Sequence, residues 1–284
     1  MNRISLILVS IIILLFSSCD KLEDPQFYLE NEYKIGVYGD PPSLSVTGQT
    51  GKNVLIEDFT AHKCGNCPQA AIIAEDIVAN GGGKVFALAI HAGSLALTDE
   101  NYPTDWTTEE GDVFYTQTES FNNPIGRINR FGGLNNIYPY TLWEEITDSE
   151  LQLETPLELE IETNFEVENN DLNIHVYGKY FDAISGSHNL IVLISESHLF
   201  DRQLDYSQPE TYVEDYEFNH VLRCSLTGAL GLEVVSNPEV NSDFQSDFTF
   251  NWNNEWDIDN CEILAIVCDE NGYVINCLGN YIEE

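Results

Sequence analysis

The chain opens with an unbroken apolar block, Ile4 to Phe16, behind a lone cation at Arg3. A membrane-spanning helix needs about 20 apolar residues, so this block is too short to span and suits the core of an export leader. The next apolar segments are brief. Lys52 to Phe59 carries a short run that begins β-branched and predicts a buried strand. Thr60 to Lys63 is the turn out of it. Gln69 to Ala79, rich in Ala and Ile, predicts a helix, and Pro68 is tolerated in its first turn because that N–H has no helical partner. Gly81, Gly82 and Gly83 end the helix, and Lys84 to His91 predicts a second buried strand. A polar stretch with Trp106, Phe114 and Tyr115 follows, part of it helical. Asn123-Pro124 is then a turn before a strand at Ile125 to Ile128, and Thr141 to Leu151 has helical spacing.

After Pro156 the period becomes two. Leu157 to Glu162 and Leu172 to Tyr177 alternate apolar with polar residues. Leu190 to Ser195, Phe244 to Trp252, Ile263 to Cys268 and Tyr273 to Cys277 continue the set. Six or seven strands in about 130 residues predict an antiparallel, immunoglobulin-like β-sandwich. Asp201 to Asn219 reads as a long acidic loop holding Tyr206, Tyr212 and Tyr216. The expected organisation is therefore a leader over 1–18, a tether over 19–48, an α/β domain over 49–154 and an all-β sandwich over 155–284.

Charge sharpens this picture. The 284 residues carry 48 Asp and Glu against 11 Lys and Arg, a net charge of -37. From Glu150 onward the balance is 28 acids to 3 bases, and before it 20 to 8, so the two halves differ in surface chemistry. Such a surface repels phosphate backbones, which excludes nucleic acid as a natural partner. No EF-hand spacing accompanies the acids, and no cofactor is called for.

Seven cysteines divide by position. Cys19 follows the leader. Cys64 and Cys67 form a C-x-x-C between the first strand and the first helix. Cys224, Cys261, Cys268 and Cys277 lie in the last quarter, where an exported chain can form disulfides among them in any of three full pairings. The order strand, C-x-x-C, helix, strand is the opening of a thioredoxin-like unit. A cysteine at a helix N-terminus faces free N–H groups and the positive end of the dipole, which favour thiolate. Cys64, the outer cysteine, is the candidate nucleophile and Cys67 the resolving thiol. Lys63 adds positive charge, and His62 does so when protonated. Zinc would need two further ligands, with His62 and His91 as candidates, and the two-residue spacing counts against copper(I). His175, His188 and His198 read as structural.

Several segments resemble known families. Phe16-Ser17-Ser18-Cys19 is similar to a bacterial lipobox, which implies a lipid anchor on Cys19. The Asp20 to Asp24 stretch resembles the surface-export signal of Bacteroidetes-type lipoproteins; by enterobacterial rules Asp20 would instead retain the protein at the inner membrane. Asp58-Phe59-x-Ala61-x-x-Cys64-Gly65-x-Cys67 is similar to the thioredoxin active-site segment, departing from it at Thr60, Lys63 and Asn66. More closely, Val54 to Pro68, Asn123 to Arg130 and Tyr216 to Arg223 resemble the outer membrane protein 28-related family of Bacteroidetes lipoproteins, a likeness running from about residue 52 to the end. The resemblance implies that Asp58 is buried behind Cys67 and relays its proton, and that Pro124 is a cis-proline pairing with the substrate backbone. Arg127 and Arg130 either pair with acids or frame the cleft.

The expectation is an exported, lipid-anchored outer-membrane protein that acts as a thiol-disulfide oxidoreductase on exported proteins or peptides, with oxidase, reductase and isomerase directions all open. The alternative is a surface binding or adhesion protein whose C-x-x-C is a fixed disulfide. The redox reading requires sulfurs that a visiting polypeptide can reach.

Overall fold

The computed structural model describes residues 31–49, 51–120 and 122–282. The leader, Cys19 and the first part of the tether lie outside them. Among the described residues the fold is rich in β-structure, with three helices of nine residues or more. In chain order the elements are β1 (Val54–Thr60), α1 (Cys67–Asn80), β2 (Val85–His91), α2 (Glu109–Gln117), β3 (Ile125–Ile128) and α3 (Trp143–Leu151). There follow β4 (Leu157–Glu166), β5 (Asp171–Tyr180), β6 (Ser187–Glu196), β7 (Leu199–Leu204), β8 (Tyr212–Phe218) and β9 (Val221–Ser225). The last are β10 (Leu232–Ser236), β11 (Asp243–Asn251), β12 (Cys261–Cys268) and β13 (Val274–Tyr281).

β1 and β2 run parallel in register from Val54 opposite Val85 to Thr60 opposite His91, with α1 as the crossover. Helix α1 buries Cys67, Ala70, Ala74 and Ile77, residues three and four apart, against β1 and β2. Strand β3 pairs antiparallel with the other edge of β1, Gly126 opposite Asp58 and Ile125 opposite Phe59. Helix α3 closes this layer through Trp143, which is fully buried and donates its indole N–H to the Tyr138 carbonyl at 3.0 Å.

The strands before and after residue 155 share one eight-stranded sheet. Its order is β13-β12-β6-β9-β2-β1-β3, with β10 also on β6. The join is narrow: β2 and β9 meet at Ala89 opposite Val221, and the Ala89 N–H donates to the His220 carbonyl at 2.8 Å. A three-stranded sheet, β11-β5-β4, packs on β6 and β12. Leu190, Val192 and Ile194 of β6 point into that core, while Ile191 and Leu193 join Leu55, Leu88 and Ile90 in a second core on the opposite face. Strands buried on both faces lose alternation, which is why β6 and β12 read as continuous apolar runs, whereas β4, with one wet face, alternates.

Two expectations change here. The acidic stretch 201–219 is not a loop: β7 and β8 form a separate two-stranded antiparallel hairpin. Residues 31–49 are held against the three-stranded sheet, where Lys34 and Tyr38 both bond Asp171, at 2.6 and 2.7 Å. The Glu158 carboxylate meanwhile accepts the Gly48 and Gln49 N–H groups.

Candidate functional site

β1 ends at Thr60, and a tight turn carries the chain into α1. The Cys64 N–H donates to the Ala61 carbonyl at 3.0 Å and the Cys67 N–H to the Cys64 carbonyl at 3.1 Å. Cys67 is the first residue of α1 and Pro68 the second, so one turn brings the two cysteines together. They are joined as a disulfide with Cα atoms 5.3 Å apart. The strand-to-helix junction is where the sequence places it.

Access to the sulfurs is another matter. Cys64 is 3% exposed and Cys67 2%. Ala61 and Ala96 pack on the pair. The tip of the β7–β8 hairpin lies across the turn. Gln203 Nε2 donates to the Cys64 carbonyl at 3.0 Å, the Leu204 N–H to the His62 carbonyl at 2.8 Å, and the Tyr206 N–H to the Gly65 carbonyl at 2.9 Å. A Cβ built on Gly65 would stand 2.6 Å from the Tyr206 ring, so this close approach requires glycine. The sequence shows no sign of this cover, because it comes from a segment about 140 residues away.

The two neighbouring side chains named for the pair have partners of their own. Lys63 Nζ is 3.1 Å from the Asp99 carboxylate. His62 donates from Nε2 to the Leu97 carbonyl at 3.2 Å and stacks on Tyr102. Burial lowers its pKa, so it is neutral near pH 7.

Asp58 lies beneath the helix. It is 3% exposed, its Oδ1 has no hydrogen-bond partner among the described residues, and burial raises its pKa to about 8. With Cys67, Pro68, His91 and Phe218 it lines a small cavity of about 40 Å3 between the sheet and α1. His91 is also buried, neither ring nitrogen has a hydrogen-bond partner among the described residues, and desolvation lowers its pKa to about 3. The sequence offered His91 solely as a metal ligand. Among the described residues no group of three or more His, Cys, Asp or Glu side chains could hold a metal ion.

Pro124 heads β3 and its peptide bond with Asn123 is cis. The Asn123 amide donates to the Thr60 and Ala92 carbonyls at 3.0 and 3.1 Å, fastening the Pro124 loop to the ends of β1 and β2. Arg127 and Arg130 do not line the cavity beside Cys67; they pair with an acid. Arg127 is bidentate on Glu57 at 2.8 and 2.9 Å, and Arg130 Nη2 reaches the same carboxylate at 2.9 Å. Burial alone would raise the Glu57 pKa, but the two guanidinium groups outweigh it and hold the carboxylate ionised.

Cys224, Cys261, Cys268 and Cys277, among which an exported chain could have formed disulfides, are thiols. The β12–β13 register sets Cys277 opposite Ile266 and Cys268 opposite Val274, so these two do not face one another.

The sequence model of the family described as outer membrane protein Omp28 matches residues 111–284, a span that begins after Cys64 and Cys67. No curated protein matches the chain. Among solved structures it is similar to HBP35 of Porphyromonas gingivalis, with a TM-score of 0.62 and 18% identity, covering 83% of this chain and 77% of that one. It is also similar to protein AGR_C_4864 from Agrobacterium tumefaciens, with a TM-score of 0.52 and 12% identity, covering 84% of this chain and 97% of that one. At these identities the likeness is one of fold. Among the described residues no helix is long and apolar enough to cross a membrane.

Proposed function

The chain belongs to the outer membrane protein Omp28 family, and from that premise we propose that it is a lipid-anchored thiol-disulfide oxidoreductase acting on exported polypeptides. On this reading Cys19 carries the lipid. Residues 49–154 form a thioredoxin-like domain built on β1, α1, β2 and β3. Residues 155–284 form an immunoglobulin-like sandwich, and the two are sutured where β2 meets β9.

Asp58 carries the proposal. A fixed disulfide has no use for an unpaired carboxyl buried beside it, and such a group costs stability. A redox pair does use one. With a pKa of about 8 the carboxyl holds its proton at neutral pH. A substrate thiolate attacks the Cys64 sulfur, the Cys64–Cys67 bond breaks, and the electron pair leaves on Cys67. Asp58 gives that sulfur its proton. A second substrate thiolate then attacks the substrate sulfur of the mixed disulfide and releases Cys64 as thiolate. The substrate has lost two electrons and the cysteine pair has gained them; the reverse sequence reduces a substrate disulfide. Pro124 presents the substrate chain.

The closed cover defines when this happens. The hairpin tip must lift before a polypeptide reaches Cys64. The cover is thin, because Tyr206 above Gly65 is 63% exposed on its outer side. The same covered sulfurs favour a second reading, a surface binding protein in which the disulfide merely fastens the turn.

Insulin-reduction and RNase-refolding assays on the wild type, Cys64→Ser and Asp58→Asn separate the two. Turnover in the wild type, abolished by Cys64→Ser and slowed by Asp58→Asn, is the expected result. No turnover, with a disulfide that resists mild reductant, leaves the binding protein.

A further inference from the structure

His91 takes no part in the reaction proposed above, although it shares the cavity beneath α1 with Asp58 and Cys67. Its placement follows from the sheet. β1 and β2 run parallel with Thr60 opposite His91 and Asp58 opposite Ala89. Residues opposite one another on neighbouring strands share a face, and so do residues two apart on one strand. Asp58 and His91 therefore stand on the same face, toward α1. One strand across and two residues along puts their Cα atoms about 8 Å apart. Phe218, edge-on with ring centroids at 5.5 Å, and Trp106 at 6.3 Å hold the imidazole in place.

Asp58 Oδ1 and both nitrogens of His91 are buried without hydrogen-bond partners among the described residues. A neutral imidazole carries one donor and one acceptor, and a protonated carboxyl can likewise donate and accept. Buried groups of this kind are costly to leave unmet, and ordered water meets them where the space is polar and large enough. Both conditions hold here. The cavity volume of about 40 Å3 exceeds the roughly 10–15 Å3 that one water needs. The cavity reaches solvent between Glu75 of α1 and Glu217 of β8, both exposed, where Asn219 Nδ2 donates to Glu75 at 2.8 Å.

We propose that Asp58 and His91 are linked through water in this cavity, and that His91 positions the proton which Asp58 delivers to Cys67. For the delivery step this rests on the redox reading. While Asp58 is protonated, its O–H donates through water to the bare ring nitrogen of His91. Once the proton has passed from Asp58 to the Cys67 sulfur, a carboxylate is left in a buried site. The other ring nitrogen, an N–H, then donates to it by way of a second water. Asp58 regains its proton from bulk water through the cavity mouth. His91 stays neutral throughout and is a positioning residue, since it touches neither sulfur nor substrate. A hydrogen bond to a carboxylate is stronger than one to a neutral acid, so His91 favours the ionised form of Asp58.

The other titratable groups facing the cavity are Glu75 from α1, Tyr216 and Glu217 from β8, and His220 from the turn before β9, and His62 acts on His91 from the turn after β1. Asp58→Asn separates Asp58 from all of them. The test is NMR titration of the whole mature chain with the Cys64–Cys67 disulfide intact. The imidazole nitrogen resonances of His91 are expected to step at the same pH as the Asp58 carboxyl carbon, and to lose that step in Asp58→Asn. His91→Phe keeps a ring and removes its nitrogens, and is expected to raise the Asp58 midpoint by about half a pH unit or more. His91→Gln keeps a donor and an acceptor, and is expected to restore the wild-type midpoint. In insulin reduction His91→Phe is expected to be slower by roughly threefold or more, with His91→Gln recovering most of the loss. A His91 resonance indifferent to Asp58→Asn, or an Asp58 midpoint equal in the wild type and His91→Phe, would overturn the proposal. If His91→Phe does not fold, the first of these decides alone. Unlinked titrations with turnover in the wild type remove the pair and leave the oxidoreductase. Linked titrations without turnover keep the pair, and remove the delivery step together with the oxidoreductase.

Discussion

Tyr206 and Gly65 are in main-chain contact, N–H to carbonyl at 2.9 Å, and the tyrosine ring fills the space a side chain at 65 would need. The contact joins the tip of the β7–β8 hairpin to the turn between Cys64 and Cys67. It makes the reactivity of the disulfide a property of the hairpin as much as of the cysteines. Removing the ring with Tyr206→Gly, or the side-chain donor with Gln203→Ala, loosens the cover. The Gln203 hydrogen bond is worth about 1 kcal/mol net, so Gln203→Ala is expected to speed reduction of the disulfide by dithiothreitol by roughly fivefold, and Tyr206→Gly, which keeps the main-chain bond and loses the ring above Gly65, is expected to speed it as well. Mass-tagging of the released thiols over time measures it. Rates equal to the wild type would mean that the hairpin does not control access.

Asp58 predicts a pH dependence with an unusual sign. Its folded pKa is raised from the ordinary 3.8 to about 8. Between these values the unfolded chain has lost the proton and the folded chain keeps it, so the folded state binds more protons and stability falls as pH rises. The loss begins near pH 4 and levels off above about pH 8. Asp58→Asn removes this contribution and is expected to be more stable than the wild type at pH 8, while matching it near pH 4. Urea denaturation across that range checks the difference between the two proteins, which isolates this residue from the many other acids.

Glu57 holds two guanidinium groups inside the protein. Arg127 is fully buried and Arg130 is 3% exposed, so Glu57→Gln leaves two cations without their counter-ion in a low dielectric. Breaking a buried pair in this way costs about 3–5 kcal/mol. The variant is expected to unfold at markedly lower denaturant concentration. A loss below about 1 kcal/mol would mean that water reaches the arginines.

Much of this could be read from the residues, and the parts that could not have a common cause. Leu157 to Glu162 alternates because one face of β4 is wet, and Lys84 to His91 runs apolar because β2 is covered on both faces; burial leaves its mark on local pattern. The position of Cys64 and Cys67 follows from the strand, the Pro68 helix start and the three glycines after Asn80. Pairing between distant strands leaves no such mark. β2 meets β9 at a single register point, Ala89 with Val221, and nothing near either residue announces the other. β7 and β8 carry Asp201, Glu214, Asp215 and Glu217 on a largely solvated hairpin, so their composition reads as loop. Gln203 and Tyr206 matter to the site because of where that hairpin folds, and Cys268 and Cys277, close in sequence across one turn, do not face each other because the strand register sets Cys277 opposite Ile266 and Cys268 opposite Val274.

On the proposed function, Cys64 and Cys67 cycle between disulfide and dithiol. Equilibrating the full chain in glutathione and dithiothreitol redox buffers, and counting thiols at these two positions, tests it directly. A reversible two-electron transition between about −270 and −120 mV, the range of working dithiol oxidoreductases, is the expected result. A pair that remains oxidised below about −300 mV, as structural disulfides do, would contradict it.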